Sequence, residues 1–268
     1  MTPSLAAVVA AGLLVVMACA WLFQRAANNV GWVDVFWTFG TGAAAVVLSL
    51  APSGGAIHPR QWLVAALAAL WSVRLGAYVA LRVARSPEED RRYADLRLKW
   101  APSFQRRLAP FVLMQAPVGW LLAMAVALAA RAPWPGLTAF DAAGALILIL
   151  AIAGEALADE QMRRFKQSRP PRGAINDRGL WAWSRHPNYF FEWLGWTAYP
   201  VILLGGSGVY PWGLAAWGAP VLMYLVLDRG TGVPPLEAAM LQSRGDAFRD
   251  YQSRTSRFFP WPSRKPSA

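Results

Sequence analysis

Residues 185–192 combine a cation, an imidazole, an amide and a carboxylate at the start of an apolar stretch. Seven Lys or Arg residues lie between positions 159 and 188, where that stretch begins. Polar side chains at the end of a membrane segment are costly unless they bind something. The arrangement therefore predicts a site for a large anionic cofactor at the membrane surface. The candidate residues in this stretch are Arg185, His186, Asn188, Tyr189 and Glu192.

Pro187 indicates how a helix can present this site. A proline is tolerated at the first helical position, because its missing N–H would have no intrahelical partner there. The free N–H groups at a helix N-terminus attract anions. The spacing predicts a helix that begins at Pro187 and directs its N-terminus at the ligand.

The basic segment before Pro187 supplies cations at helical spacing. Asp159, Arg163 and Lys166 recur at intervals of four and seven residues, so they share one face of a predicted helix. Asp159 suits a ribose hydroxyl, and arginine suits bidentate contact with phosphate. Attraction to an anionic membrane surface is the alternative explanation. The chain contains no G-x-G-x-x-G or G-x-x-x-x-G-K-[ST] pattern, so a dinucleotide would not bind here on a Rossmann domain.

A second polar group lies inside apolar stretches of the N-terminal half. A charged side chain in the hydrocarbon core costs roughly 2.5–3.5 kcal/mol on insertion scales, so Asp34 and Arg74 each need a partner or a cavity. Arg74 and Tyr78 are four residues apart and share a helix face. Either Asp34 and Arg74 form an ion pair that joins two helices, or these residues line a substrate cavity.

The composition indicates the elements that hold these residues. Of 268 residues, 56% are hydrophobic and 15% are charged, whereas a soluble domain has about 25% charged residues. The 15 Trp and 20 Pro residues fit membrane interfaces and membrane helices. We predict an all-α polytopic membrane protein with a single integrated domain over residues 1–268, its cofactor-binding portion mainly within 155–268. The seven predicted membrane helices lie at about 4–23, 31–50, 61–81, 110–130, 139–158, 189–204 and 211–227.

The distribution of cations predicts the orientation of these helices. With the N-terminus outside and the C-terminus in the cytoplasm, the inner loops and tail hold 23 of the 26 Lys and Arg residues. The outer loops hold only Arg60 and Arg131, which satisfies the positive-inside rule. The net charge of +11 therefore needs no nucleic acid to explain it. We expect an integral membrane protein, in a bacterial inner membrane by its Ala- and Arg-rich composition, with the cofactor site on the cytoplasmic side.

Metal-binding and disulfide chemistry have little support. One cysteine, Cys19, excludes a disulfide within the chain, and its apolar surroundings predict a buried structural thiol. Two histidines and one cysteine make a zinc site improbable. We therefore expect no metal, and no obligate protein partner is evident.

Six patterns occur in order along the chain. They are 31–37 (GWVDVFW), 71–75 (WSVRL), 89–93 (EDRRY), 183–192 (WSRHPNYFFE), 231–237 (TGVPPLE) and 248–260 (FRDYQSRTSRFFP). Together they resemble the steroid 5α-reductase family and its bacterial relatives, over about residues 30–262 and most specifically over 179–192. The resemblance implies a seven-helix membrane enzyme that uses NADPH to reduce a carbon–carbon double bond conjugated to a ketone. Its substrate would be lipophilic, typically a 3-oxo-Δ4 steroid or another lipid enone, met among membrane lipids.

The resemblance also implies which residues hold NADPH. Members of the family bind the cofactor with cytosolic loops and their last helices. Carried over by position, the implied contacts are Asp159, Arg163, Arg164, Lys166, Arg172, Asn188, Tyr189 and Glu192, with Arg244, Tyr251 and Arg254 closing the site from the tail.

The substrate end departs from the animal enzymes, which place a Gln-Glu pair and a Tyr near the ketone. We assign the acidic role to Asp34. The register that matches Arg74 puts Trp71 at the Tyr position, so Tyr78 is the candidate helper. A protonated Asp34 would donate a hydrogen bond to the ketone oxygen while hydride reaches the β-carbon of the enone. Trp37, Trp71 and Arg74 are expected to bind the substrate.

Two other functions stay open at the level of sequence. An Arg-His-Pro motif before a membrane helix also marks isoprenylcysteine and phospholipid methyltransferases, which use S-adenosylmethionine. Those enzymes usually carry a Glu-Glu pair in the last cytoplasmic segment, where this chain has Glu237 and Ala238. A lipid-binding or solute-transport protein is the non-enzymatic alternative, but transporters often contain inverted repeats, and none is evident.

Overall fold

The computed structural model of the protein describes residues 2–52, 56–86, 89, 91–206 and 208–263. This part of the chain is helical and contains no β-strand, as predicted. The α-helices are α1 (Pro3–Ala27), α2 (Trp32–Leu50), α3 (Pro59–Arg85), α4 (Arg91–Lys99), α5 (Phe104–Leu113), α6 (Gln115–Ala130), α7 (Ala139–Gln167), α8 (Pro187–Leu203), α9 (Gly218–Tyr224), α10 (Val233–Arg244) and α11 (Asp246–Arg254).

Five spans in the described residues are long and apolar enough to cross a membrane. They coincide with the first five predicted stretches, although the helices extend further at several ends. The count of seven and the orientation stay predictions. The five spans are Pro3–Ala27, Trp32–Leu50, Pro59–Arg85, Phe104–Ala130 and Ala139–Gln167.

The last two predicted stretches differ from the long spans. The sixth is the 17-residue helix α8, followed by one short 3-10 turn, Leu204–Gly206. The prediction for the seventh was one continuous α-helix, and the structure does not have one. It begins as a 3-10 helix (Pro211–Trp217), continues as α9 and ends as a π-helix (Leu225–Arg229). Prolines remove backbone donors, and glycines weaken helix propagation, so a segment rich in both is interrupted.

Local sequence signals explain where the first helices begin and end. Thr2 caps α1 by accepting the Leu5 N–H at 3.3 Å, and Pro3 occupies the first helical position. Asn28 ends α1 in the left-handed conformation.

Cys19 of α1 is exposed, contrary to the prediction of a buried thiol. A sequence window can show that a helix is apolar without showing which of its faces is covered.

The chain divides into two compact units, with boundaries inside α7, α8 and α9. Unit 1 comprises residues 1–145 and 199–219, and unit 2 comprises residues 146–198 and 220–268. The prediction of a single functional domain stays a prediction.

Close contact between helices at small residues holds unit 1 together. The backbone of Gly42 in α2 lies so close to Ser72 in α3 that a Cβ atom would fall 2.1 Å from the Ser72 hydroxyl. Gly76 in α3 receives the ring of Phe39 in the same way, at 2.6 Å. Small residues allow such approach between membrane helices. A large side chain at position 42 would therefore separate α2 from α3.

Unit 2 is held by an aromatic cluster between α8 and the C-terminal segment. The rings of Phe258 and Phe259 lie 5.2–6.3 Å from those of Phe190 and Trp193. The Trp193 indole donates to the Pro220 carbonyl at 3.0 Å. These contacts position the segment that carries the predicted cofactor motif.

Candidate functional site

The structure divides the predicted site residues between the two units. The predicted catalytic and substrate-binding residues all lie in unit 1, and the predicted cofactor-binding residues all lie in unit 2. Each group is described within its own unit.

A carboxylate that we had not assigned to the cofactor site organises the cluster in unit 2. Glu237, in α10, accepts hydrogen bonds from the Arg185 guanidinium at 2.7 and 3.3 Å. Its Oε1 lies 3.0 Å from the His186 Nε2, and its Oε2 accepts from the Gln252 amide at 2.9 Å. A carboxylate only accepts, so His186 must carry its proton on Nε2 in the neutral form. Four side chains thus form one network, here called the Glu237 network.

Backbone carbonyls complete the coordination of Arg185. Its Nη1 donates to the Thr255 carbonyl at 2.7 Å and to the Gln252 carbonyl at 3.2 Å. These carbonyls belong to the end of α11 or follow it directly, where a helix carries partial negative charge. The Arg185 N–H donates to the Ser256 carbonyl at 2.8 Å, which fixes its backbone as well. Arg185 is buried, and its guanidinium holds the C-terminal segment against the start of α8.

Burial and charge pairing set the protonation states of this network. Burial lowers the pKa of His186 below its usual value, and this outweighs the opposite effect of Glu237. Burial alone would raise the pKa of Glu237, but the hydrogen bonds from His186 and Arg185 prevail and lower this pKa to about 2. At neutral pH the network therefore contains ionised Glu237, charged Arg185 and neutral His186.

Tyr251 supports the network from α11. Its hydroxyl donates to the Trp181 carbonyl, and burial raises its pKa. The Trp181 indole in turn donates to the Ala158 carbonyl of α7 at 3.0 Å. Nearby, Arg254 binds Asp177 at 2.8 Å and Asp250 at 2.9 Å. In this structure Tyr251 and Arg254 both connect the segments that surround the motif.

The first turns of α8 present a mixed surface. The helix begins at Pro187, as predicted. Tyr189 stacks on the His186 ring with centroids 5.7 Å apart, and Glu192 accepts from the Trp196 indole at 3.0 Å. Asn188 is half-buried, and its amide has no hydrogen-bond partner among the described residues. Asn188 is thus the motif residue whose polar group is available to a ligand.

The predicted cationic face of α7 is helical to Gln167, but its members lie in different environments. Asp159 is buried, whereas Arg163 and Arg164 are exposed and share one carboxylate, Glu160, at 2.6 Å each. Lys166 is exposed on the last turn of the helix. The shared face passes from the packed part of unit 2 to its surface, which sequence spacing does not reveal.

Further cations follow in the loop after α7. Arg172 and Arg178 are exposed, and neither side chain has a hydrogen-bond or ion-pair partner in the part of the chain that the structure describes. Arg244 lies at the end of α10 and is half-buried. The surface between positions 163 and 178 therefore carries more cationic charge than its own carboxylates neutralise. We call this surface the 163–178 surface.

Two buried polar atoms indicate whether a dinucleotide phosphate can bind in this part of unit 2. Asn176 Nδ2 and Thr255 Oγ1 are buried without a hydrogen-bond partner among the described residues. The Arg254–Asp177 ion pair joins the two segments that carry them. Buried polar atoms without partners are uncommon in folded proteins. These two atoms, the loop guanidiniums and the Asn188 amide are all donors of types that suit phosphate and ribose oxygens.

The site in unit 1 contains a phenol that we had not assigned. The Tyr93 hydroxyl, from α4, donates to Asp34 Oδ1 in the first turn of α2 at 2.9 Å. Tyr93 is buried, and Asp34 is half-buried. The stretch 89–93 is among the matching patterns, but its dense charge predicts a solvated helix with a Glu88–Arg92 ion pair four residues apart. That pair lies outside the described side chains.

The other predicted residues of unit 1 are aromatic and cationic side chains of α2 and α3. The Arg74 guanidinium lies 5.5 Å from the centre of the Tyr78 ring, which confirms their shared face. The rings of Trp37 and Trp71 meet edge to face at 6.4 Å, and the Trp37 indole donates to the Gln115 carbonyl at 3.1 Å. The five predicted residues of unit 1 thus lie within the packed pair of helices α2 and α3.

Comparison with known proteins identifies the family of the chain. Residues 20–255 match the family described as "Protein of unknown function (DUF1295)", and the chain belongs to this family. It is also similar to the uncharacterized protein C594.04c of Schizosaccharomyces pombe, with 28% identity over 125 residues. That match covers 40% of this chain and 35% of the relative, so it spans about a third of the relative's length. No solved structure matches the chain significantly.

Proposed function

We propose that this protein is a membrane reductase that uses NADPH to reduce the carbon–carbon double bond of a conjugated enone in a lipophilic substrate, with 3-oxo-Δ4 steroids as the representative class. The observation that carries the proposal is the 163–178 surface with its unpartnered donors. Its Asp177 pairs with Arg254 of α11, the helix that also carries Gln252 of the Glu237 network. The DUF1295 family is associated with steroid 5α-reductase-like membrane proteins, which supports the same assignment. The seven-span topology and the bacterial inner membrane are parts of this proposal.

Residues of unit 2 would hold the cofactor. Exposed cations of the 163–178 surface would bind phosphate oxygens, since arginine can form two parallel hydrogen bonds to a phosphate. The Asn188 amide and the buried Asn176 amide supply neutral donors. In this assignment Arg185 and His186 position the start of α8 through Glu237, because their own polar groups are engaged within the protein.

Asp34 and Tyr93 would polarise the substrate. The bound cofactor would supply a hydride to the β-carbon of the enone, so negative charge develops on the ketone oxygen. With Oδ1 accepting from Tyr93, a protonated second oxygen of Asp34 can donate to that oxygen. A donor aimed at a developing oxyanion contributes about 2.7–4 kcal/mol to the lowering of the barrier. Trp37, Trp71, Arg74 and Tyr78 would form the surrounding wall.

The test uses the purified full-length protein, NADPH and a panel of conjugated enones. We expect NADPH to bind and to be oxidised only when an enone is present. Asp34→Ala removes the proposed donor, so it should leave NADPH affinity unchanged and slow single-turnover hydride transfer by about 10²–10³-fold. Asp246→Ala, at an exposed position, is the matched control and should behave as the wild type.

One result would overturn the proposal, and a second would overturn its assignment of Asp34. The first is absence of NADPH binding together with tight binding of S-adenosylmethionine, which would favour the methyltransferase. The second is hydride transfer at the wild-type rate in Asp34→Ala, which would remove Asp34 from the chemistry while the cofactor assignment stands.

A further inference from the structure

Unit 1 contains a cavity that the proposed reduction does not use. The N-terminal end of α3, the C-terminal end of α6, the loop after α6 and Tyr210 line the cavity, and the ends of α2 and α7 supply hydrogen-bond partners to two of its arginines. The cavity has a volume of about 510 Å³, within the range of small-molecule sites. Arg60 and Arg131, the two cations that the positive-inside rule assigns to the outer loops, both line the cavity.

The charge of Arg60 is neutralised within the protein. Its guanidinium binds both carboxylate oxygens of Asp141, at 2.7 and 3.1 Å, and both groups are buried. It also donates to the Trp134 carbonyl at 2.9 Å and to the Gly136 carbonyl. Arg60 is therefore a structural tie between α3 and the start of α7.

Arg131 differs, because its charge has no carboxylate partner among the described residues. Its Nε donates to the Leu48 carbonyl at 2.9 Å, and its Nη2 donates to the Ala51 carbonyl. Its Nη1 is buried and has no hydrogen-bond partner in the described part of the chain. The end of α2 thus orients the guanidinium and leaves its Nη1 without an acceptor.

Trp134 provides a second unused donor at the same cavity. Its ring is held by the Arg60 guanidinium at 5.0 Å and by the edge of Tyr210 at 6.4 Å. The backbone of Gly206 also lies against this ring. Its indole Nε1 is buried without a partner in the described residues. The ring is packed on several sides, so the indole cannot easily turn to find another acceptor.

The pKa shifts of two lining residues also favour a bound anion. Burial lowers the pKa of Arg131 and raises the pKa of Tyr210. Burial therefore disfavours the uncompensated charge on Arg131, and a bound anion would relieve this cost.

We propose that this cavity binds the phosphodiester headgroup of an anionic phospholipid. The net charge left by the Arg60–Asp141 pair and Arg131 matches a single negative charge, and arginine and indole N–H groups are suitable donors to phosphate oxygens. Trp62 and Trp212, each close in the chain to a lining residue, are exposed to 56% and 77%. Tryptophan favours the membrane interface, which is where phospholipid headgroups lie. This proposal does not depend on the reductase assignment.

The test measures lipid binding to the delipidated full-length protein by native mass spectrometry. The probes are phosphatidylglycerol, phosphatidylcholine and inorganic phosphate. We expect phosphatidylglycerol to bind more tightly than the other two. Trp134→Phe keeps the ring and removes the N–H, so it should weaken phosphatidylglycerol binding about fivefold. Trp261→Phe, at an exposed tryptophan of unit 2, is the matched control and should not change the affinity.

Arg131→Gln provides the second variant. It removes the charge and should weaken binding of phosphatidylglycerol by roughly tenfold or more. If its thermal melt shows that it does not fold, Trp134→Phe decides alone. Equal affinity for phosphatidylglycerol and phosphatidylcholine, or wild-type affinity in Trp134→Phe, would overturn the proposal. Equally tight binding of inorganic phosphate would overturn the lipid assignment in favour of a site for free anions.

Discussion

Two groups of arginines in unit 2 have similar partners but different surroundings. Arg185 binds Glu237 with 9% of its side chain exposed, whereas Arg164 binds Glu160 with 75% exposed. A buried ion pair leaves an uncompensated charge when one partner is removed, while a surface pair is screened by water. The comparison indicates that the Glu237 network holds unit 2 together and that the 163–178 surface is available for binding. In the sequence both groups are counted equally as cations.

Removal of Glu237 should have the largest effect. Glu237→Gln leaves Arg185 buried without its counter-ion, which typically costs about 3–5 kcal/mol. We expect a large fall in the thermal unfolding midpoint of the detergent-solubilised protein, followed by tryptophan fluorescence. Glu160→Gln is the matched control on the exposed group, and its midpoint should stay close to that of the wild type. Equal shifts in the two variants would show that burial does not distinguish them.

Acidification should weaken the buried network in two steps. The pKa of His186 is lowered by burial, so the unfolded chain binds the proton better and stability falls as the pH drops below about 6.5. The pKa of Glu237 falls from 4.5 to about 2 on folding, so its contribution is lost as the pH drops below about 4.5. His186→Gln keeps a donor near Glu237 and should remove the first step from the pH profile of the unfolding midpoint. A profile identical to that of the wild type would contradict the role of His186.

Loss of the Tyr251 hydroxyl should have a smaller effect. Tyr251→Phe keeps the packed ring and leaves the Trp181 carbonyl without its donor. The expected loss is about 1–2 kcal/mol, measured as a lower unfolding midpoint. The comparison weakens if Tyr251→Phe destabilises the protein as strongly as Glu237→Gln, because the network would then not be centred on the carboxylate.

A change on the exposed surface should affect ligand binding and leave stability unchanged. Arg172→Gln should reduce NADPH affinity about tenfold in isothermal titration, since one charged hydrogen bond is lost. Its unfolding midpoint should match that of the wild type. Arg249→Gln, at another exposed arginine of unit 2, should change neither quantity. NADPH affinity that is the same in both variants would remove Arg172 from the site.

Much of the secondary structure could be predicted from local signals. The start of α8 at Pro187 and the shared face of Arg74 and Tyr78 were both confirmed. The interrupted seventh segment was not predicted as such, although its glycines and prolines were visible. The overall hydrophobicity of residues 211–227 predicts a single helix, but the glycines and prolines within the segment interrupt it.

The partners of the site residues could not be predicted in the same way. Glu237 lies more than fifty residues from Arg185 in the chain, and Tyr93 lies 59 residues from Asp34. No local periodicity connects such positions. In the sequence, Glu237 is distinguished only by Ala238, which follows it where a methyltransferase carries a second glutamate. Tyr93 had been placed in a charged, solvated helix.

The sequence by itself determined that the chain is helical and apolar, and that its cations are concentrated in a few segments. These properties depend on residue type and on spacing along a helix, which is a local periodicity. Only the tertiary structure decided which cations are neutralised within the protein, as Arg60 and Arg185 are, and which keep a free donor, as Arg131 does. The physical reason is that desolvation and pairing depend on residues from distant segments, and only packing brings these residues within hydrogen-bonding distance.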